Sequence, residues 1–267
     1  SMKIWYQSLT RPTAWPAYNA ALRAVLERVK DEGTHIDVHG IEQRGGIGDQ
    51  YRYLEFIETQ EVLTNVERAT REGYDAFLIG NIGDPGLREA REITTMPVLG
   101  LCETSTHLAC LMGANFALVT GNTKHAPRII ENVNKYGLAS RLCAVRSMTV
   151  ERLVDLDQGF SDMSAGLALI EQFLAHARAH THDGAEVIIP AIGVLMALLA
   201  THNIHEVSPG IPILNGVTSL VKMGEAAIRM RRAMGGVWTS RRAMYAMPPD
   251  TQLAELRAQY GPVYPTA

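Results

Sequence analysis

Thiols are scarce in this chain: 267 residues contain three cysteines, Cys102, Cys110 and Cys143. An odd, sparse set excludes a disulfide framework and fits a reducing compartment. Neither sign of charge dominates, with 25 Lys plus Arg against 28 Asp plus Glu and a formal net charge of -3. Recognition of a phosphate backbone by bulk positive charge is thereby excluded, and no nucleic-acid partner is expected. No apolar run approaches the ~20 residues that span a bilayer. The longest stretches, Val187–Ile192 and Val194–Ala200, are far shorter, so no membrane partner is expected either. The chain opens directly on a strand-like run without a basic-then-apolar leader, and a cytoplasmic protein is the expectation. Walker, GxGxxG, GxSxG, CxxC and HExxH patterns are all missing. Nucleotide, dinucleotide, serine-hydrolase, dithiol and zinc-protease readings lose their usual support.

What is present is ordinary globular material, 46% hydrophobic and 20% charged, enough for a sizeable core. Short Val, Ile and Leu runs predict strands at Lys3–Gln7, His35–His39, Ala76–Gly80, Val98–Leu101, Phe116–Thr120, Leu142–Val145, Val187–Pro190 and Ile213–Leu214. Helical periodicity lies between them. Ala17–Lys30 carries Ala21, Val25 and Val29 at spacing four, and Tyr53–Arg71 and Ala165–Arg178 are similar. This alternation predicts an α/β fold with parallel sheets and crossover helices. Ala76–Arg91, Phe116–Ile130 and Val187–Leu199 repeat one strand–turn–helix pattern, which favours two lobes over one long sheet. Residues 1–98 with 215–267, including a helix at Val217–Ala233, are expected to form one lobe, and residues 99–214 the other. The tail after Gly235 reads as irregular, lying on a surface or a partner subunit. The arginines Arg229, Arg231, Arg232, Arg241 and Arg242 read as a solvated face or a subunit contact. His176, His180 and His182 read as a solvated helix end, and no metal is assigned.

In open parallel sheets, ligands sit beyond the carboxyl ends of the strands. Four turns there carry polar chemistry. In Gly80–Leu87, Asp84 and Pro85 suit the start of a following helix, Gly83 lets backbone approach a ligand, and the freed amides attract an anion. In Thr120–Thr123, Thr120, Gly121 and Asn122 can hold a carboxylate or imide oxygen, or form a helix cap. Pro190–Gly193 offers Ala191 and Ile192 but no titratable group. Leu101–His107 is richest, because Cys102 and Glu103 stand where strand gives way to helix and a thiol there can become nucleophilic. A buried structural cysteine is the alternative.

Taken together, GNIGDPGLREAR (80–91), PVLGLCETSTHLA (97–109), FALVTGN (116–122), IIENVNKYGL (129–138), VIIPAIG (187–193) and PILNGVTSLVK (212–222) resemble the hydantoin racemase branch of the aspartate/glutamate racemase superfamily. The opening KIWYQS (3–8) is similar to a subgroup of that branch. The resemblance implies two pseudo-symmetric lobes, each a parallel sheet flanked by helices, with the active site in the cleft between them. It also implies no metal, no pyridoxal phosphate or other cofactor, and a homo-oligomer.

Enzymes of that family move an α proton between two cysteines that face each other across the substrate. Here the first of those positions falls on Asn81 and the second on Ala191, and neither side chain transfers protons. A family aspartate is replaced by Asn215. The resemblance therefore implies chemistry at a carbon next to a carboxylate or cyclic imide carbonyl, by a route other than two thiols: decarboxylation, lyase chemistry or isomerisation. Cys102, Glu103 and Asn81 are the candidate catalytic residues. Gln7, Ser8, Asn81, Gly83, Thr120, Gly121, Asn122, Ala191 and Ile192 are the candidate binding residues for a small carboxylate or imide. A non-catalytic binder of small carboxylates on the same scaffold is the alternative.

Overall fold

A computed structural model describes residues 1–266. β1 (Met2–Gln7), α1 (Pro16–Val29), β2 (Thr34–His39), α2 (Arg52–Arg71), β3 (Ala76–Ile79), α3 (Leu87–Ile93) and β4 (Val98–Gly100) follow one another. Their strands form a parallel sheet in the order β2-β1-β3-β4. Next come α4 (Leu101–Met112), β5 (Phe116–Thr120), α5 (Ala126–Lys135), β6 (Leu142–Ser147), α6 (Gln158–Ser161), α7 (Met163–His182), β7 (Ile188–Pro190) and α8 (Gly193–Thr201). They build a second parallel sheet, β6-β5-β7. A small hairpin of β8 (Glu206–Ser208) and β9 (Ile211–Pro212) leads to α9 (Gly216–Ala233) and, later, α10 (Asp250–Tyr260). The expected α/β architecture of two lobes is what the chain adopts.

The strands are continuous apolar runs because helices cover both faces. Every residue of β3 and β5 is buried. α1 turns Tyr18, Leu22, Val25 and Leu26 inward, a stripe of helical period. α8 is buried nearly all round, from Val194 to Ala200. α9 returns to pack on β3 and on α1, and Gly224 allows that approach, since a Cβ there would meet Leu78 at 2.9 Å. Glu225 of α9 is fully buried and accepts bonds from Asp31 N and Thr34 Oγ1.

Several expectations need correction. Ile213 joins the second sheet only as an isolated parallel bridge to Ile188, because Pro212 precedes it and α9 begins three residues on. The tail is not wholly irregular: α10 occupies Asp250–Tyr260. Arg241 is no solvated charge, since it donates to the carbonyls of Arg91, Glu92 and Thr94 at the end of α3. His180 is buried against the Leu118 carbonyl rather than solvated, because α7 runs on to His182. Asp84 does not cap the helix after it. α3 starts at Leu87, behind Gly86 at φ 75°, while Asp84, itself at φ 48°, caps α4 instead by accepting from Cys102 N and Glu103 N.

Candidate active site in the interlobe cleft

The carboxyl ends of β1, β3 and β7 meet at one narrow cavity of about 30 Å³. From the first lobe come Ser8, Leu9 and Thr10 after β1, Trp15 and Tyr18 of α1, Asp49, and Gly80, Asn81 and Ile82 after β3. From the second come His125, Leu153, and Ile192, Gly193 and Val194 after β7. Gly80 is required at the floor, because a Cβ there would lie 2.4 Å from the Tyr6 ring. Substrate pockets typically measure about 300–1,000 Å³, so the two walls here are closed on each other.

Two titratable groups of complementary kind face this space. His125 is 1% exposed and neither ring nitrogen has a partner. Burial lowers its pKa from the ordinary 6.5, and the nearby Asp49 pulls the other way. A buried imidazole with two idle nitrogens is rare in a purely structural role. Its backbone is pinned: Asn122 Oδ1 accepts from His125 N at 2.9 Å, and Asn122 Nδ2 donates to Val150 O at 2.8 Å.

Asp49 is presented by Asn81, whose Nδ2 donates to Asp49 Oδ2 at 2.6 Å. The Asn81 amide is itself oriented, because Gly83 N donates to its Oδ1 at 2.8 Å. Beside Asp49, Gln50 stitches the lobes together, donating to Glu151 O and accepting from Leu153 N. Asp157 does the same for α1, whose own start lacks a side-chain cap; it accepts from Tyr18 N at 2.6 Å. Hydroxyls complete the first-lobe wall, with Ser8 Oγ and Thr10 Oγ1 at 2.6 Å and Tyr18 lining the cavity beside them.

Of the residues singled out from sequence, Ser8, Asn81 and Ile192 line the cavity. The others do not, and the reason is that their polar groups are spent. Gln7 bonds Trp5, Asn65, Ser8 and the carbonyls of His39 and Gly40. Thr120 Oγ1 is shared between Asn122 O and Ser147 Oγ. Gly121 is packed against Leu153 and Ile192, and Ala191 is fully buried. The polar groups of the turn at 120–122, read from sequence as a holder of a carboxylate or imide oxygen, are therefore taken up by the protein's own bonds.

Cys102 and Glu103 stand behind the wall. Cys102 is fully buried, and burial pushes its thiol well above the usual range, with Asp84 adding to the effect. That is opposite to an activated thiol. Glu103 is paired with Arg91 at 2.6 Å. Arg128 is likewise committed, to Glu55, Asn132 and the Gly83 carbonyl. The same layer holds Asp84, pushed up to about 7 by burial although Tyr136, Cys102 N and Glu103 N donate to it.

His125 and Asp49 are among the lining residues that sequence reasoning missed. A signal existed for His125: it follows β5 within five residues, so the carboxyl-end rule that drew attention to Thr120 covers it. Asp49 had none, because it lies in a long loop before α2 whose path depends on tertiary contacts.

A two-lobed α/β scaffold with titratable groups lining a cavity at its strand ends defines the architecture, and the comparisons name its family. The family model for Asp/Glu/hydantoin racemases matches residues 15–224. Hydantoin racemase of Pseudomonas sp. (strain NS671) is 30% identical over 209 residues, 78% of this chain and 78% of that protein. Hydantoin racemase of Paenarthrobacter aurescens is 26% identical over 242 residues, 90% of this chain and 96% of that one. Among solved structures, allantoin racemase from Klebsiella pneumoniae superposes with a TM-score of 0.76 at 25% identity, covering 94% of this chain and 95% of that one. The chain belongs to the Asp/Glu/hydantoin racemase family, and is an isomerase-type enzyme of that superfamily. Among the described residues no helix is long and apolar enough to cross a membrane.

Proposed function

We propose that this enzyme moves a proton on and off the carbon adjacent to a carbonyl of a small, neutral cyclic amide or imide, without thiols. The observation that carries the reading is His125, a buried imidazole with both nitrogens unpartnered, aimed into the interlobe cleft. A positioned imidazole of lowered pKa is neutral near pH 7 and suited to take a proton. The enolate oxygen formed as the proton leaves would meet the amides of Gly193 and Val194, which line the cavity at the start of α8. The first N–H groups of a helix have no partner within it, and such donors favour developing negative charge.

Neutrality of the substrate rests on charge. Among the described residues no Arg or Lys lines the cavity, while Asp49 does. A free carboxylate would find no cation there to hold it, which disfavours both an acid substrate and the carboxylate-binder alternative. The hydantoin and allantoin racemases to which the chain is similar support a cyclic ureide. Proton transfer next to a carbonyl is the step that isomerisation and decarboxylation share, and the racemase relatives favour isomerisation.

The test is solvent exchange. Each enantiomer of 5-benzylhydantoin and of allantoin, followed by NMR in heavy water, should lose its α-proton signal faster than the enzyme-free blank. His125→Ala should slow this by roughly 10²-fold or more, the usual worth of positioned proton transfer. Exchange that persists unchanged in the variant would remove His125 from the reaction.

A further inference from the structure

The resemblance implies that the family's two cysteine positions fall on Asn81 and Ala191, residues that carry no mobile proton, and none of the three cysteines lines the cavity. An enzyme with one proton carrier exchanges a proton on one face of a planar enolate but does not invert the carbon. The second wall therefore matters. We infer that Asp49 is the second proton carrier, facing His125 across the cleft, and that Asn81 is the positioning residue that presents it. This rests on the reading of His125 given above.

Three observations carry the inference. Asp49 and His125 reach one cavity from opposite lobes, Asp49 from the loop before α2 and His125 from the start of α5. They do not bond to each other, since both ring nitrogens lack partners. Asn81 holds only Oδ2 of Asp49, and among the described residues no donor meets Oδ1.

The proton balance closes without a co-reactant. For one enantiomer, neutral His125 takes the α proton as the C–H bond breaks and the electron pair moves onto the carbonyl oxygen. A protonated Asp49 then gives its proton to the opposite face, forming the new C–H bond. The step leaves an imidazolium and a carboxylate, which is the starting state for the other enantiomer. The pair holds one proton throughout.

Stereochemistry separates this from a single-carrier site. With each enantiomer of 5-benzylhydantoin in heavy water, chiral chromatography reads inversion and NMR reads exchange. Wild type should invert both enantiomers, with deuterium in the product. Asp49→Asn should lose inversion by roughly 10²-fold or more yet keep exchange with retention for the enantiomer whose α proton faces His125. His125→Gln should show the converse. Asn81→Ala, which leaves both carriers in place, should slow inversion while sparing exchange on the His125 side and leaving KM little changed. Thermal melts establish that each variant is folded; should Asp49→Asn fail to fold, the Asn81→Ala split decides alone. Inversion by Asp49→Asn at the wild-type rate, or equal loss of inversion and His125-side exchange in Asn81→Ala, overturns the pair while the His125 reading stands. Wild type that exchanges no α proton overturns both.

Discussion

Glu58 gives the sharpest test of how this fold manages buried charge. It lies on α2 beneath the loop that carries Asp49, 1% exposed. One carboxyl oxygen accepts from Gly46 N at 2.8 Å, and the other has no partner. Burial, reinforced by Asp49, Glu55 and Glu61, raises its pKa from 4.5 to about 8 against the pull of the Gly46 amide. Between those two values the folded protein holds a proton that the unfolded chain has released. Stability from this group is therefore full below about 4.5 and is lost as pH rises through about 8. With about 1.4 kcal/mol for each tenfold change in proton affinity, the loss amounts to roughly 3–5 kcal/mol. Glu58→Gln keeps the acceptor for Gly46 and has no proton to lose. Urea unfolding should find it level with wild type near about pH 5 and more stable by roughly 3–5 kcal/mol near about pH 9. Asp84, whose raised pKa acts in the same direction, is present in both proteins and cancels. Parallel stability–pH curves would refute the reasoning.

Cys102→Ala should leave turnover unchanged and cost about 1–2 kcal/mol in denaturant unfolding, the effect of a small void where a fully buried thiol was; a fall in kcat without loss of stability would return Cys102 to the chemistry. Thr120→Val removes the bonds to Asn122 O and Ser147 Oγ, so it should cost roughly 1–2 kcal/mol of stability and leave KM alone. A raised KM at unchanged stability would mean that Thr120 binds ligand after all.

Much of the fold was legible because its causes are local. Runs such as those of β3 and β5 are apolar at every position, as strands covered on both faces must be, and their alternation with helical stripes dictates parallel crossovers. The carboxyl-end rule likewise led to Ser8, Asn81 and Ile192. The rest of the site was not legible, because a polar residue near a strand end has two fates that local sequence does not distinguish. Thr120, Asn122 and Gln7 spend their hydrogen bonds on neighbours brought in from β6, the following loop and α2. Cys102 and Glu103 start a helix whose first amides are taken by Asp84, from a different turn.

What the chain's own order of residues determined is the lobed scaffold, the family, and the placing of Asn81 and Ala191 at strand ends. Only the tertiary structure decided which polar groups reach the cavity between the lobes. His125 is left without partners because the Asn122 side chain takes its backbone rather than its ring, and Asp49 is brought to Asn81 across 32 residues of chain. Proton-transfer chemistry depends on which groups remain unsatisfied at the cavity, and that is settled by long-range packing rather than by residue type.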